Sequence, residues 1–520
     1  MNKLSFRGLS LVAVATLLLA FLIRRRALAS KDTTAGAAAA KHPPGPWSLP
    51  VIGSLHHLAG ELPHRALLRL SRRHGPLMLV RLGEVRAFVV SSPEAAMEVM
   101  KARDPAFASR PWGAMLDIVS CGGKGIIVAP YGEHWRQMRK VCVVELLSAR
   151  QVKRMEAIRQ AEVARLVESV SNAAAASAST RGGGAAVAVN LSHALMELTN
   201  DIIAKAVFGG RFRRQEEYLR ELGRQVILTG GFNLPDFFPS SRLVRLLSSA
   251  ERDLRSSRVR GEAIIDGVIH ERKEKRRSSA GSGAEEEDLL DVLLRLQEED
   301  ALAFPITAEI ICIVIYDIFG AATDTTAHTL EWTMAELMRT PQAMMKAKLE
   351  VRQKLGHGRS VITNGDLGEL HYLRMVIKES LRLHPPVPII HRGSQESCEI
   401  MGYNIPKGSM VSINAFAVAR DPRYWDDPDE FKPERFENSN VDYKGTHFEL
   451  IPFGAGRRIC PGLLFATTTI ELTLANLLYH FDWVLPDGAS PATLDMGEVF
   501  GITLSRRSDL HLQATPYLRL

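Results

Sequence analysis

The decapeptide Phe453-Gly454-Ala455-Gly456-Arg457-Arg458-Ile459-Cys460-Pro461-Gly462 constrains this chain more than any other stretch. Two glycines let the backbone approach something flat, Arg458 offers a fixed cation two residues before a thiol, and Pro461-Gly462 leads into an apolar helix from Leu463. Cys460 is therefore expected close to a helix N-terminus, where the local field and the adjacent arginines favour the thiolate, the form that ligates a metal. A buried structural cysteine in a glycine-rich turn is the plain alternative. The flanking residues weigh against it.

The rest of the chain must build a frame for that loop. With 520 residues, 46% hydrophobic and 24% charged, it is too apolar for disorder and long enough for a large core. The excess of 65 Lys and Arg over 58 Asp and Glu gives +7, which suits an anionic membrane surface or an acidic partner. No basic block interleaved with aromatics occurs, so no nucleic-acid partner is expected. Five scattered cysteines without a C-x-x-C argue against a disulfide framework and a structural zinc site, and for a reducing compartment. Walker, G-x-G-x-x-G, G-x-S-x-G and H-E-x-x-H motifs are absent from the sequence, which removes the usual support for nucleotide, serine-hydrolase and zincin chemistry.

The N-terminus reads as an address. Residues 8–23 carry no charge and run into Arg24-Arg25-Arg26. The run is a little short of the roughly 20 residues of a spanning helix, and Leu4 to Phe6 together with snorkelling of Arg7 and Arg24 extend it. A removable secretory signal is the competing reading, because Ala27-Leu28-Ala29 supplies an A-x-A pattern; three arginines inside the crossing segment oppose it. The positive-inside rule leaves the bulk of the chain cytosolic, with Lys3 and Arg7 weakening the asymmetry. The sequon Asn190-Leu191-Ser192 is then expected to stay unmodified. Residues 1–26 are thus read as a transmembrane anchor and 27–50 as a linker. Its Pro43-Pro44-Gly45-Pro46-Trp47-Ser48-Leu49-Pro50 forms a semi-rigid strut, and 51–520 is the globular part.

Within the globule, Leu77 to Arg81 and Val85 to Val90 read as strands around Gly83-Glu84, so a small sheet lies near the start. Helical periodicity covers Trp135 to Leu147, Val152 to Ser171, Ser192 to Phe208, Ala250 to Lys275, Asp288 to Glu298, Thr307 to Arg339 and Pro341 to Leu355. The fold class is mainly α with small β-sheets. Ala173 to Ala186 and Ser278 to Glu287 lack an apolar period and are expected as mobile surface loops.

The pattern F-x-x-G-x-R-x-C-x-G, filled by Phe453, Gly456, Arg458, Cys460 and Gly462, resembles the haem-binding signature of the cytochromes P450. The Pro-Pro-Gly-Pro strut, Ala129-Pro130-Tyr131-Gly132 and the Pro-Phe-Gly-Ala-Gly-Arg-Arg run are similar to plant microsomal (A-type) members. The resemblance covers about residues 43 to 520. It implies the cytochrome P450 fold and Cys460 as axial thiolate of a haem b iron. Glu379-Ser380-Leu381-Arg382 and Arg435 match the family's buried Glu-Arg-Arg network. Trp135 and Arg139 sit four apart on one helix face, and with Arg392 and Arg458 they match the clamp on the haem propionates. Where relatives often read Pro-Arg-Glu, this chain has His391-Arg392-Gly393.

Inside the apolar run from Thr307, Ala321-Ala322-Thr323-Asp324-Thr325-Thr326 places a carboxylate and three hydroxyls where they are costly. The resemblance makes this the distal stretch, where the helical ladder opens and Asp324 and Thr325 relay protons; the usual glycine is Ala322 here. A kinked helix with back-bonded threonines is the other reading. Pocket residues are implied near Phe107 to Ile126, Asp317 to Thr325, Val387 to His391 and Phe500 to Thr503. They are largely apolar, so an apolar small molecule is expected.

The implied activity is a monooxygenase at the endoplasmic-reticulum membrane, placing one atom of O2 into a terpenoid, especially a diterpenoid. Alkaloid, phenolic, oxime and fatty-acid substrates stay open. Electrons would come from NADPH-cytochrome P450 reductase docking near Arg136, Lys140 and Arg457. A haem-thiolate isomerase or dehydratase that does not use O2 remains the enzymatic alternative, and a haem-binding membrane carrier the non-enzymatic one.

Overall fold

The computed structural model describes residues 41–111, 113–179, 188–230, 233–278, 287–299 and 304–517. The expected membrane segment lies outside them. Eleven longer helices carry the architecture: α1 (Pro63–His74), α2 (Glu133–Lys140), α3 (Glu156–Ser179), α4 (Leu191–Phe208), α5 (Gln215–Leu228), α6 (Ala250–Ser278), α7 (Leu289–Glu298), α8 (Ala308–Arg339), α9 (Pro341–Leu355), α10 (His371–Leu383) and α11 (Leu463–His480). Their starts follow from side chains that satisfy free amides. Thr307 accepts from the Ile310 N–H ahead of α8, Asp288 from Asp291 ahead of α7, and Asn190 from His193 ahead of α4. The sequon asparagine is thereby occupied, and it also donates to Asp509 at 2.8 Å. α8 is largely apolar and mostly buried, as a helix that runs through a core must be. It forms the axis of the main core, packed against α4, α10 and α11.

The strands are β1 (Leu77–Leu82), β2 (Val85–Val90), β3 (Val189–Asn190), β4 (Ile389–Gly393), β5 (Cys398–Ile400), β6 (Tyr403–Ile405), β7 (Met410–Asn414), β8 (Phe481–Val484), β9 (Glu498–Phe500), β10 (Leu504–Arg506) and β11 (His511–Pro516). The expected β1–β2 hairpin forms, with Leu77 opposite Val90 and Leu82 opposite Val85. It belongs to a four-stranded sheet of order β1-β2-β7-β4, in which β2 and β7 run parallel. β4 and β7 are buried on both faces and so show no two-residue alternation to reveal them. The Pro-rich strut is laid against this sheet: Leu79 N–H donates to Pro44 O at 2.9 Å and Ser54 N–H to Arg81 O at 2.5 Å.

Three expectations are corrected. Residues 173–179, expected as a mobile loop, continue α3, because an alanine run is a strong helix former whether or not it has an apolar face. Residues 180–186 and 279–286 of the two expected loops lie outside the described residues. The helix expected over Trp135 to Leu147 is regular only to Lys140 and widens into a π-turn over Val141–Leu146. α8 does not open at Ala321–Thr326: it is continuous from Ala308 to Arg339, and Thr325 Oγ1 donates back to Ala321 O at 2.7 Å. Alanine at 322 in place of glycine favours that unbroken ladder.

Candidate active site

The thiol loop is closed by its own backbone, with Cys460 N–H donating to Phe453 O at 2.9 Å. The Phe453 ring packs on the main core and lies 5.4 Å from the Tyr443 ring. Gly456 has φ +66°, and a Cβ there would stand 2.1 Å from Met100 O, so glycine is required by the protein's own backbone. Arg457 is tied to Asp104 through its N–H at 2.8 Å and its Nη1 at 3.1 Å. Cys460 directly precedes the start of α11, as expected. The thiol is nonetheless pushed up by burial, with the Gly462 N–H and the Arg139 cation acting against that. The adjacent arginines, expected to favour the thiolate, aim elsewhere: Arg458 is spread over the carbonyls of Ala108, Ile126 and Ala129. A bound metal cation would act with these two groups against the cost of burial.

Arg392 on β4, Arg458 and Arg110 form a buried cation cluster. Arg392 Nη2 reaches Ala455 O at 3.3 Å, and its Nε and Nη1 have no partner among the described residues. Burial, then repulsion from Arg110 and Arg458, drives Arg392 well below its ordinary range; burial, then repulsion from Arg110 and Arg139, lowers Arg458 to about 9, and burial alone lowers Arg110 to about 10. Asp104 is the carboxylate that acts on Arg392 and Arg458, and it is shared with Arg457. Trp135 on α2 donates from Nε1 to Ile126 O at 3.1 Å, with Arg458 4.3 Å above its ring. Arg139, one turn along, is lowered by burial and feels the Cys460 sulfur.

On α8, Ala321, Thr325 and His328 recur at spacings of four and three, and this stripe keeps accessible surface on an otherwise buried helix. Asp324 lies beside it with no hydrogen bond to the described residues, and burial raises its carboxyl to about 6. Two turns earlier Asp317 accepts from the Ile126 and Ile127 amides at 2.6 and 3.2 Å, fastening the segment before α2 to the helix. Arg110 and the Asp317 contact were not foreseen in the sequence. A lone Arg-Pro and one aspartate in an apolar run carry no period that would mark them.

Beneath the loop the three motif charges meet as expected. Arg382 grips Glu379 with two bonds of 2.8 and 2.9 Å, Arg435 Nε reaches the same carboxylate at 2.9 Å, and Lys432 N–H adds a fourth at 2.8 Å. Arg382 and Glu379 are fully buried. His391 pairs with Ser412 at 2.9 Å and is lowered to about 4 by burial, so the departure from Pro-Arg-Glu is absorbed as a neutral sheet residue.

A thiol beside Arg139, next to a cluster of guanidiniums on which, among the described residues, the one carboxylate of Asp104 acts, fits a helical protein built around an anionic prosthetic group. The family model described as Cytochrome P450 matches residues 43–511. Desmethyl-deoxy-podophyllotoxin synthase of Sinopodophyllum hexandrum is 44% identical over 98% of both chains. Premnaspirodiene oxygenase of Hyoscyamus muticus is 45% identical, covering 92% of this chain and 93% of that one. Ent-isokaurene C2/C3-hydroxylase of Oryza sativa subsp. japonica is 46% identical, covering 90% and 92%. A zebrafish cytochrome P450 structure with abiraterone superposes with a TM-score of 0.72 at 26% identity, covering 88% of this chain and 99% of that one. The chain belongs to the cytochrome P450 family and is a monooxygenase with the P450 fold.

The family's haem fits the residues present. Its two propionate carboxylates match what the cation cluster lacks, where Arg392 leaves two buried nitrogens without an acceptor.

Proposed function

We propose that Cys460 is the axial ligand of a haem b iron, and that the protein uses electrons from NADPH-cytochrome P450 reductase to oxygenate an apolar plant metabolite. The observation that carries this reading is the guanidinium cluster around Arg392 with too few carboxylates, beside the half-buried Cys460 thiol. Trp135, Arg139, Arg392 and Arg458 hold the propionates, with Arg110 added to the set. Phe453 and Gly456 keep the loop in shape. When bound, haem supplies oxygen activation and transfer into a C–H bond. The chain's part is protonic and steric. Asp324, held near neutrality by burial, keeps an exchangeable proton, and Thr325 Oγ1 delivers it to the distal side after releasing Ala321 O.

A terpenoid is the proposed substrate, since premnaspirodiene and ent-isokaurene, named in two relatives, are terpene hydrocarbons. Residues 1–26 are proposed as a single-pass anchor in the endoplasmic-reticulum membrane, 27–50 as the linker and 51–520 as the cytosolic catalytic domain. Exposed Ile227, Leu234, Leu243, Leu246 and Leu247 support a lipid-facing side. That segment joins the strut's neighbourhood, where Glu84 N–H donates to Phe237 O at 2.9 Å. Arg136 and Lys140 are exposed for reductase, while Arg457 is partly neutralised by Asp104.

The reduced carbon monoxide difference spectrum tests the assignment. A thiolate-type band in the wild type that disappears in Cys460→Ala is expected, and its persistence in the variant overturns the ligand. Product analysis with reductase and a panel of sesquiterpene and diterpene hydrocarbons tests the substrate class. Conversion of phenolic or lignan substrates alone overturns it.

A further inference from the structure

The β9–β10 hairpin holds a carboxylate where none is needed for the sheet. Glu498 opens β9, and its side chain is 2% exposed. It accepts from His64 Nε2 at 3.1 Å and from Arg65 Nε and Nη2 at 2.7 and 2.9 Å, residues of α1 more than 430 positions away. His64 has no exposed side-chain surface, stacks on Phe500 at 5.7 Å and 19°, and meets Phe416 edge-on at 4.5 Å.

The other arm is fixed as firmly. Leu504 O accepts from Trp332 Nε1 at 3.1 Å, and Leu504 N–H donates to Pro386 O at 2.9 Å. Trp332 lies seven residues beyond Thr325 on the same face of α8, about 10 Å along the helix, and stacks flat on His384 at 4.0 Å. The turn between the arms, Gly501 to Thr503, reaches the end of α5: a Cβ on Gly230 would touch Gly501 Cα at 3.4 Å. Both arms are pinned while the turn, with Ile502 38% exposed, is not.

We infer that Glu498 is a positioning residue: its hydrogen bond with His64 and its ion pair with Arg65 hold the Phe500–Thr503 turn over the distal pocket, and so set how large ligands are seated. The inference rests on the proposed haem site, with the pocket on the Thr325 side of α8. A buried carboxylate with three charge-assisted bonds is a rigid strut, and without it the arm loses its polar tie to α1 and keeps its pairing to β10 and the packing of Phe500 on His64.

The test compares wild type, Glu498→Gln and Arg65→Ala, each first checked for the thiolate band with carbon monoxide. Arg65 is 45% exposed, so its truncation leaves the interior intact. Two probes that ligate haem iron from the distal side are titrated optically: imidazole, which is too small to meet the turn, and clotrimazole, which fills a pocket. Both variants are expected to bind clotrimazole about tenfold more weakly and imidazole within about twofold of wild type. Unchanged affinity for both probes overturns the inference, and so does an equal loss for both, which marks general damage. Absence of the thiolate band in wild type strikes the haem assignment itself, and the inference falls with it.

Discussion

Two sets of buried arginines flank the Cys460 loop, and they are opposite in their pairing. Around Glu379, Arg382 and Arg435 share one carboxylate and make six hydrogen bonds to five backbone carbonyls, so each charge has a partner inside the fold. Around Arg392 the guanidiniums repel one another, and two of its nitrogens have no acceptor among the described residues. A fold keeps the first arrangement because removing any member strands a charge. It keeps the second because something from outside completes it. Pairing inside the chain marks structure, and a deficit of pairing marks a ligand.

Breaking the satisfied set has the largest expected effect. Glu379→Ala leaves two arginines uncompensated and is expected to cost about 3 to 5 kcal/mol, read from urea unfolding. A loss below about 1 kcal/mol would erase the contrast. Arg392→Met in the other set is expected to leave the haem-free protein as stable or more so, since it removes an unpaired cation. Transfer of haem to apomyoglobin is expected to be about tenfold faster; an unchanged transfer rate would mean the cluster holds no propionate.

Asp324 offers a finer probe. Burial raises it from 3.8 to about 6, so the native chain keeps a proton that the unfolded chain releases. The contribution favours folding below about pH 4 and is lost as pH rises through about 6. Asp324→Asn is thus expected to be more stable than wild type by about 1 to 2 kcal/mol at pH 8, with the difference shrinking towards pH 4. A pH-independent difference in urea midpoints would refute the unpaired carboxyl. Thr325→Ala is expected to change stability by less than about 0.5 kcal/mol, because its hydroxyl bonds only its own helix, yet to raise hydrogen peroxide released per NADPH. Equal leakage would remove the relay. Lys140→Glu is expected to have the smallest effect, a salt-dependent slowing of reductase-supported turnover with no change in haem content.

The legible parts of this molecule are those whose chemistry is local. The loop from Phe453 to Gly462 announces itself by residue type, and α4, α7, α8 and α9 start and stop within a residue of where their caps and periodicity put them. Glu379 and Arg382 three apart on a helix are readable too, although their meeting with Arg435 is known only through the resemblance. What stayed hidden depends on distant partners. β4 and β7 lack alternation because both faces are covered. Arg110 has meaning only beside Arg392 and Arg458. Local reasoning saw only part of the balance at Cys460: the Gly462 N–H and the Arg139 cation do favour the thiolate, and the opposing cost of enclosure comes from distant parts of the chain.

The parallel pairing of β2 with β7 sets Ala87 against Met410, about 320 residues later. At ribosomal speeds of roughly 5 to 20 residues per second, the nascent hairpin waits on the order of 15 to 65 seconds before its neighbour emerges. Throughout that interval a Val-rich strand offers bare amides and carbonyls to any other unfinished chain. Production in a foreign host is therefore governed by the supply of chaperones that cover the strand during that interval, and co-expressed chaperones should raise the yield of folded enzyme.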